Sequence, residues 1–342
     1  MAAKAPVACR IQPGICFSKS SLTLGKIAMT FKRTSFVDIF GRHNSASSCA
    51  AFLFSICLLL SPSFYQSSYA SDKPDSSRGA LLVFAGAPSG QGYRDGSLAV
   101  ARFSYPSGLT ADKSGNILVA DSRNSVIRRI APNGKVSTLA GSVGRIGSAD
   151  GESSAAQFNG PADVEVDATG NVYVADSGNS TIRKISPQGK VTTFAGVAKK
   201  TGSTDGTGIA ALFNSPAGVA VDGMGDLYVA DSGNNAIRKI TASGVVTTLA
   251  GKAGVSGSAD GTAAAALFNG PNSIALDQTG NLYITDTGNN TIRKITLEGV
   301  VSTVAGTAGQ SGTVDGIGAA ARFNGPGGIV CDNAGNLYVA DA

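Results

Sequence analysis

Short apolar runs separated by glycine-bearing polar turns follow one another through most of the chain. In residues 160–196 four such runs occur, Val164–Val166, Asn171–Asp176, Thr181–Ile185 and Lys190–Phe194. The turns between them read DATG, SGNS and SPQG, which are sequences that join antiparallel strands tightly. Because short runs rich in β-branched residues are typical of strands, the pattern predicts four antiparallel strands in a meander.

This unit recurs every 55 residues without an insertion, and four residue types mark the period. One meander sheet is marginally stable alone, but stacking such sheets around an axis buries both of their apolar faces. The sequence therefore predicts an all-β fold, a β-propeller of four-stranded antiparallel blades with about five units, the last one incomplete. The marker positions are Phe103, Phe158, Phe213, Phe268 and Phe323; Pro106, Pro161, Pro216, Pro271 and Pro326; Asp121, Asp176, Asp231, Asp286 and Asp341; and Gly86, Gly141, Gly196, Gly251 and Gly306.

The segments between units share one plan, shown by DGESSAAQF, DGTAAAALF and DGIGAAARF. An Asp-Gly pair starts each segment, small residues follow, and a phenylalanine ends it. The plan predicts a short helical turn with the aspartate near its N-cap.

The two ends of the repeat region, residues 80–342, raise the question of how the propeller closes. The last unit stops at NLYVADA, directly after its second strand, so we expect a C-terminally incomplete propeller. Residues 80–86, ALLVFAG, stand in the register of a fourth strand, and we expect them to pair into the last blade. The strand edges that remain open would favour self-association.

Residues 1–70 have the features of a cleaved targeting leader, and residues 71–79 those of a linker. Residues 1–48 are rich in Ser, Lys and Arg and poor in acids, as transit peptides are. The apolar segment Ala50–Leu60 is shorter than the roughly 20 residues of a membrane-spanning helix, and SSYA at 67–70 suits a signal peptidase. We expect a two-part leader into the chloroplast and its thylakoid lumen; a secretory signal and a retained anchor are the alternatives.

The charge of the chain is divided unevenly between leader and body. The formal net charge is +5, but residues 1–70 contain seven Lys or Arg and one acid, so residues 71–342 carry a balance of −1. A body of this charge lacks the basic surface that nucleic-acid binding needs, and we expect no nucleic-acid partner.

Histidine and cysteine are almost confined to the leader as well. The single histidine, His43, lies there, which removes the commonest general base and metal ligand from the body. Cys331 is the one cysteine of the body, so no disulfide can form within it. Its position matches apolar residues in the other units, which favours a small buried side chain over a reactive thiol.

The repeated segments at 167–185, 222–240 and 277–295, each of the form DxxGNxYVADSGNxxIRKI, resemble the NHL repeat, and 112–130 is a weaker copy. The resemblance covers residues 81–342. It implies a β-propeller, usually of six blades, that serves as an interaction platform, and the DG…AxFxxP connector resembles that of plant and bacterial NHL proteins.

The resemblance implies a non-catalytic scaffold for protein–protein interaction, with unidentified protein partners, no cofactor, and a body that is soluble or membrane-peripheral. Three alternatives stay open. The chain could be a propeller enzyme of the Ca²⁺-dependent lactonase or hydrolase kind, or the interaction module of a longer, truncated enzyme. RNA binding is the third, and the charge balance argues against it.

Three charged columns repeat in every complete unit, and each has a structural and a functional interpretation. The aspartates that end the second strands could cap the following turn or form a ring of Ca²⁺ ligands. The arginines that follow could pair with nearby aspartates or form a basic binding face. The aspartates that open the DxxGN turns are expected to be structural. The columns are Asp121, Asp176, Asp231, Asp286 and Asp341; Arg128, Arg183, Arg238 and Arg293; and Asp112, Asp167, Asp222, Asp277 and Asp332.

Residues that break the repeat are the candidate binding residues. Asp163 and Glu165 replace small or apolar residues on one first strand, where the propeller plan places the central channel. Asn272 is a weaker candidate of the same kind. The acidic pair could bind a ligand or a partner, or could pair with Arg145, Lys199 or Lys200 in neighbouring connectors. We predict no catalytic and no metal-binding residue.

Overall fold

The strands predicted from the repeat are present in the computed structural model, which describes residues 8–11, 83–86 and 90–342. The predicted linker and all but residues 8–11 of the predicted leader lie outside these residues. Four five-stranded antiparallel sheets form blades 1 to 4 of a β-propeller. No described helix is long and apolar enough to span a bilayer.

Each blade begins with a two-residue outer strand from the preceding connector, followed by four longer strands from the inside outwards. Blade 1 contains β2 (Gly96–Ser97), β3 (Pro106–Ala111), β4 (Ile117–Asp121), β5 (Val126–Ile130) and β6 (Lys135–Ala140). Blade 2 contains β7 (Gly151–Glu152), β8 (Pro161–Val166), β9 (Val172–Asp176), β10 (Thr181–Ile185) and β11 (Lys190–Ala195).

Blades 3 and 4 repeat this arrangement. Blade 3 contains β12 (Gly206–Thr207), β13 (Pro216–Val221), β14 (Leu227–Asp231), β15 (Ala236–Ile240) and β16 (Val245–Gly251). Blade 4 contains β17 (Gly261–Thr262), β18 (Pro271–Leu276), β19 (Leu282–Asp286), β20 (Thr291–Ile295) and β21 (Val300–Ala305). A fifth unit consists of β22 (Pro326–Cys331) and β23 (Leu337–Asp341), and β1 (Ala8–Ile11) pairs in parallel with β23.

The core lies between the blades. All five residues of β9 are buried, because alternate side chains enter two different interblade clusters: Val172 and Val174 pack towards blade 1, Tyr173 and Ala175 towards blade 3. The inner strands pack side by side in the order β3, β8, β13, β18, β22. Strand alternation in this fold therefore stabilises two interfaces, and burial of each large apolar side chain contributes about 1.5–3 kcal/mol.

Two ends of the propeller can be distinguished. The hairpin end carries the turns after the first and third strands of each blade. The connector end carries the 3₁₀ turns after the second strands and the loops that leave the fourth strands. The 3₁₀ turns are Ser122–Asn124, Ser177–Asn179, Ser232–Asn234 and Thr287–Asn289.

The predicted helical turns of the connectors are present as 3₁₀ turns, but the predicted aspartate caps are wrong. The N-cap residues are Glu152, Thr207 and Thr262, and none makes a side-chain capping bond. The aspartate stands two residues earlier, where Asp150 binds Arg183 instead. The turns are Ser153–Ala155, Gly208–Ala210, Ala263–Ala265 and Gly318–Ala320.

The expectation that residues 80–86 add a strand to the last blade is wrong for the described part, since residues 83–86 form no strand. Phe84 and Ala85 pack instead against the free face of blade 1, in a cluster with Ile117 and Val119. Leu139 and Ala140 pack on blade 2 in the same way, so burial on the next blade outweighs pairing with the last one.

Candidate functional site

The axis-facing side of blade 2 carries the two acids that break the repeat. Asp163 lies in β8, where the pairing with β9 shifts register, and it reaches two other blades. Its Oδ2 accepts a hydrogen bond from the Val219 N–H of blade 3 at 3.0 Å. A side chain at Gly108 of blade 1 would collide with its carboxylate. Asp163 therefore connects three blades at the axis.

Glu165 lies two residues further along β8 and contacts blade 1. Its Oε1 accepts from the Thr110 hydroxyl at 2.7 Å and from the Val166 N–H at 2.9 Å. The described ion pairs of Arg145, Lys199 and Lys200 do not include either acid. The carboxylates are stabilised by backbone N–H groups and a hydroxyl rather than by cations.

The burial of these acids changes their protonation. Burial raises the pKa of Asp163 to about 7, because the lowering effects of the Val219 and Val164 N–H groups are insufficient; the neighbouring Glu165 carboxylate raises it further. Burial also raises the pKa of Glu165, against the effects of Thr110 and the Val166 N–H. The channel thus holds a carboxyl group that titrates near neutral pH, a property common at functional sites.

Asp163 should make the stability of the propeller depend on pH. The folded pKa lies above the ordinary value of 3.8, so the folded state binds the proton more tightly. Its contribution is present below about pH 4 and is lost as pH rises towards about 7. We expect the wild type to lose more stability than Asp163→Asn between about pH 5 and about pH 8, measured by urea unfolding. Identical losses in the two proteins would contradict this assignment.

A cavity opens at the hairpin end of the same strands, with a volume of about 310 Å³. Its apolar wall is formed by Ala111, Val166 and Val221, the last residues of three first strands, and Lys113 and Asp167 lie at its rim. The Lys113 ammonium donates to the Ala168 carbonyl, and Asp167 accepts from the backbone of its own turn, at Thr169 and Asn171. The polar rim is therefore used by the turns.

The Asp and Arg columns form one buried network in each blade, which we call the latch. In blade 2, Arg183 donates to Asp176 Oδ2 at 2.9 Å and to Asp150 Oδ1 at 2.8 Å, and its guanidinium lies over the Phe158 ring. Asp176 Oδ1 also accepts from the Asn159 N–H. The four latches are Asp95–Arg128–Asp121, Asp150–Arg183–Asp176, Asp205–Arg238–Asp231 and Asp260–Arg293–Asp286.

These pairs answer the two interpretations of the columns. Arg128, Arg183, Arg238 and Arg293 are buried, so they form no exposed basic face. The aspartates at the ends of the second strands each bind an arginine of their own blade, and they make no N-terminal capping bond to the turn. Among the described residues, no group of three or more His, Cys, Asp or Glu is placed to hold a metal ion.

The remaining candidates lie apart from the acidic pair. Arg145 and Lys200 are exposed in loops at the connector end, after blades 1 and 2. Asn272 is exposed near the start of β18. Cys331 is partly buried at the end of β22, and burial raises the pKa of its thiol, as do Asp277 and Asp332. The structure does not bring these residues together into one site.

Sequence reasoning missed a second break in the repeat, at the connector end of blade 1. Tyr105 stands where blades 2 and 4 have glycine, and Arg123 stands where blades 2, 3 and 4 have glycine. The Arg123 guanidinium stacks on the Tyr105 ring, 3.4 Å from its centroid. Comparison of the glycine positions among the units would have revealed both substitutions.

Comparisons with known proteins agree with this architecture. The family described as NHL repeat matches residues 103–130, 158–185, 213–240 and 268–295. The chain is similar to the chloroplastic protein SUPPRESSOR OF QUENCHING 1 of Arabidopsis thaliana, with 31% identity over 76% of this chain and 26% of that protein. It is also similar to human NHL repeat-containing protein 2, with 32% identity over 48% of this chain and 25% of that one. It thus spans about a quarter of these relatives.

Among solved structures, an auxiliary nutrient binding protein from Bacteroides ovatus has a similar fold. The TM-score is 0.54 and the identity 19%, and the match covers 71% of this chain and 58% of the other. At this identity the likeness concerns the fold alone.

Proposed function

Because the chain belongs to the NHL-repeat β-propeller family, we propose that it is a non-catalytic scaffold that binds protein partners. Its repeated charged side chains stabilise the fold: the latches hold the strands of each blade, and the DxxGN aspartates hold the hairpins. One observation carries the proposal. Apart from the partly buried pair in the channel, the charged residues that break the repeat and make no ion pair lie exposed at the connector end, where a macromolecule can reach them.

We further propose that the scaffold works in the chloroplast, within the thylakoid lumen. Two observations support this location. Residues 1–70 combine a basic, serine-rich part with a short apolar part and a small-residue exit. A relative that matches 76% of this chain is chloroplastic by name. Secretion is the alternative.

One experiment tests both proposals. The full chain with a C-terminal tag is produced in leaf cells, the chloroplasts are fractionated, and complexes are isolated through the tag and sized. We expect the protein in the lumen fraction, in a stoichiometric complex with another protein. The purified chain should turn over no lactone, ester or glycoside, with or without added Ca²⁺.

Three results would contradict these proposals. Turnover that disappears in Asp163→Asn and Glu165→Gln would instead support the enzyme. A chain recovered without any stoichiometric partner would count against the scaffold. Recovery from the secretory pathway would contradict the chloroplast location. The tag alone, carried by the same leader, is the control for non-specific capture.

A further inference from the structure

Three coordinated substitutions distinguish the connector end of blade 1 from the other blades. Blade 2 has Asn159, Gly160 and Gly178, and a side chain on Gly178 would meet the Asn159 amide at 2.6 Å. Blade 1 has Ser104 instead of the asparagine, and this shorter side chain leaves room for Arg123. The equivalent residues are Asn214, Asn269 and Asn324; Ser215, Gly270 and Gly325; and Gly233 and Gly288.

Tyr105 adopts a backbone conformation that its side chain disfavours. Its φ is +51°, in the left-handed region where Gly160 and Gly270 stand in the equivalent turns. A bulky residue there is a rare outlier that costs about 1 kcal/mol or more, and such strain concentrates at functional positions. The tyrosine therefore needs a reason beyond the turn itself.

That reason is the guanidinium that the ring holds. Arg123 is exposed, and its charged group lies 3.4 Å from the centre of the Tyr105 ring. Within the described residues, its side chain has no hydrogen bond and no ion pair. Stacking on an aromatic face restricts the guanidinium while its N–H donors remain open to an acceptor from outside.

Further cations surround this pair at the same end. Arg145, Lys199 and Lys200 are exposed, and no described carboxylate pairs with them. The loop with the two lysines is held against the blade 2 turn, because the Lys199 N–H donates to the Asn179 carbonyl at 2.9 Å. The latch carboxylates at this end, such as Asp150, are already bound by buried arginines.

We propose that the connector end of blades 1 and 2 binds an acidic segment of a partner protein, with Arg123, held on Tyr105, as the anchor for a carboxylate. This inference rests on the proposed scaffold function and names the chemistry of its partner. A guanidinium presents parallel N–H donors that match a carboxylate, and Arg145, Lys199 and Lys200 would attract the flanking acids.

The charges favour a polypeptide over a nucleic acid. Phosphate backbones bind through many cations spread over a broad surface. Here the cations are few, and half-exposed latch carboxylates such as Asp150, Asp205 and Asp95 lie close to them at the rim. A segment with a few carboxylates can place them on the cations and avoid the rim, whereas a polyphosphate cannot.

The test uses the purified full chain and a synthetic Glu- and Asp-rich peptide, with the Gln- and Asn-substituted peptide as control. We expect saturable, salt-sensitive binding of the acidic peptide only. Arg123→Gly, which restores the residue of the other blades, should weaken binding about tenfold or more, the effect of one charge-assisted bond to a carboxylate. Lys135→Val, which removes one exposed charge at the hairpin end and matches Val245 and Val300, should leave binding unchanged.

A second variant separates binding from packing. Tyr105→Gly should weaken the peptide about fivefold or more, because the guanidinium loses its support. Its melting temperature should not fall, since glycine relieves the positive φ. A lowered melting temperature would identify Tyr105 as a packing residue and overturn the proposal. So would equal effects of Arg123→Gly and Lys135→Val, or tighter binding of single-stranded RNA or anionic vesicles than of the peptide.

Failure of this inference differs from failure of the scaffold proposal. A partner complex from leaf cells that persists unchanged in Arg123→Gly would overturn the anchor and leave the scaffold intact. A chain that binds the acidic peptide through Arg123 but forms no complex in leaf cells would retain the anchor and contradict the scaffold.

Discussion

Replacing Arg183 with methionine is expected to lower the free energy of unfolding by about 3–5 kcal/mol, the cost of breaking a buried ion pair from one side. The side chain is fully buried and donates to Asp176, to Asp150 and to the carbonyls of Gln157 and Ala149. Burial already raises the pKa of Asp176 in spite of its hydrogen bonds from Asn159, Asn179 and Arg183. Without the arginine, that carboxylate would be buried with no counter-charge.

The matched control for this variant is Lys184→Met, one residue further along β10. Lys184 is only partly buried, and its ammonium lies 5.5 Å from the centre of the Tyr173 ring. Its loss should cost about 1 kcal/mol or less. Urea unfolding of both variants measures the difference. Equal destabilisation by the two substitutions would show that the latch has no special weight.

A double variant shows how the latch acts. When both buried partners are replaced by apolar residues, much of the loss is recovered, because no charge is left unpaired. We therefore expect Asp176→Leu with Arg183→Met to be more stable than Arg183→Met alone. The latch would then matter for specifying which strands meet.

Replacing Gly218 with alanine is expected to destabilise the seam between blades 3 and 4 by about 1–3 kcal/mol, the usual cost of overpacking. A Cβ on Gly218 would meet the carbonyl oxygen of Asn272 and lie 2.9 Å from the Ser273 Cα. Both are backbone atoms of β18, and they cannot move aside as a side chain can. The two inner strands would have to separate.

Gly223→Ala is the control for this variant. Gly223 lies in the turn after β13 in the same blade, with no heavy atom within 4 Å of an added Cβ and no positive φ. Alanine there should be neutral or should stabilise by up to about 1 kcal/mol, because it restricts the unfolded chain. Thermal and urea unfolding compare the two. A Gly218→Ala protein as stable as Gly223→Ala would mean that the inner strands are not tightly packed.

The candidate residues show how far the sequence leads towards function. Asp163 and Glu165 could be identified because they break an otherwise regular strand, and their place near the axis follows from the propeller plan. Their partners could not be identified, because Val219 is reached from a different blade and through a backbone N–H. The Tyr105–Arg123 pair was missed because its two members lie in different turns, which meet only when β3 and β4 pair.

The sequence alone determined the strands, their order and the repeat. Alternating apolar residues and glycine-bearing turns are local signals, and a regular period makes each unit confirm the next. Only the tertiary structure decided what the charged columns do. Asp150 and Arg183 are 33 residues apart, and neither can be assigned until the connector folds back on the outer strand and buries the arginine. Charges acquire their roles from distance and burial, and both are properties of the packed blades rather than of any one segment.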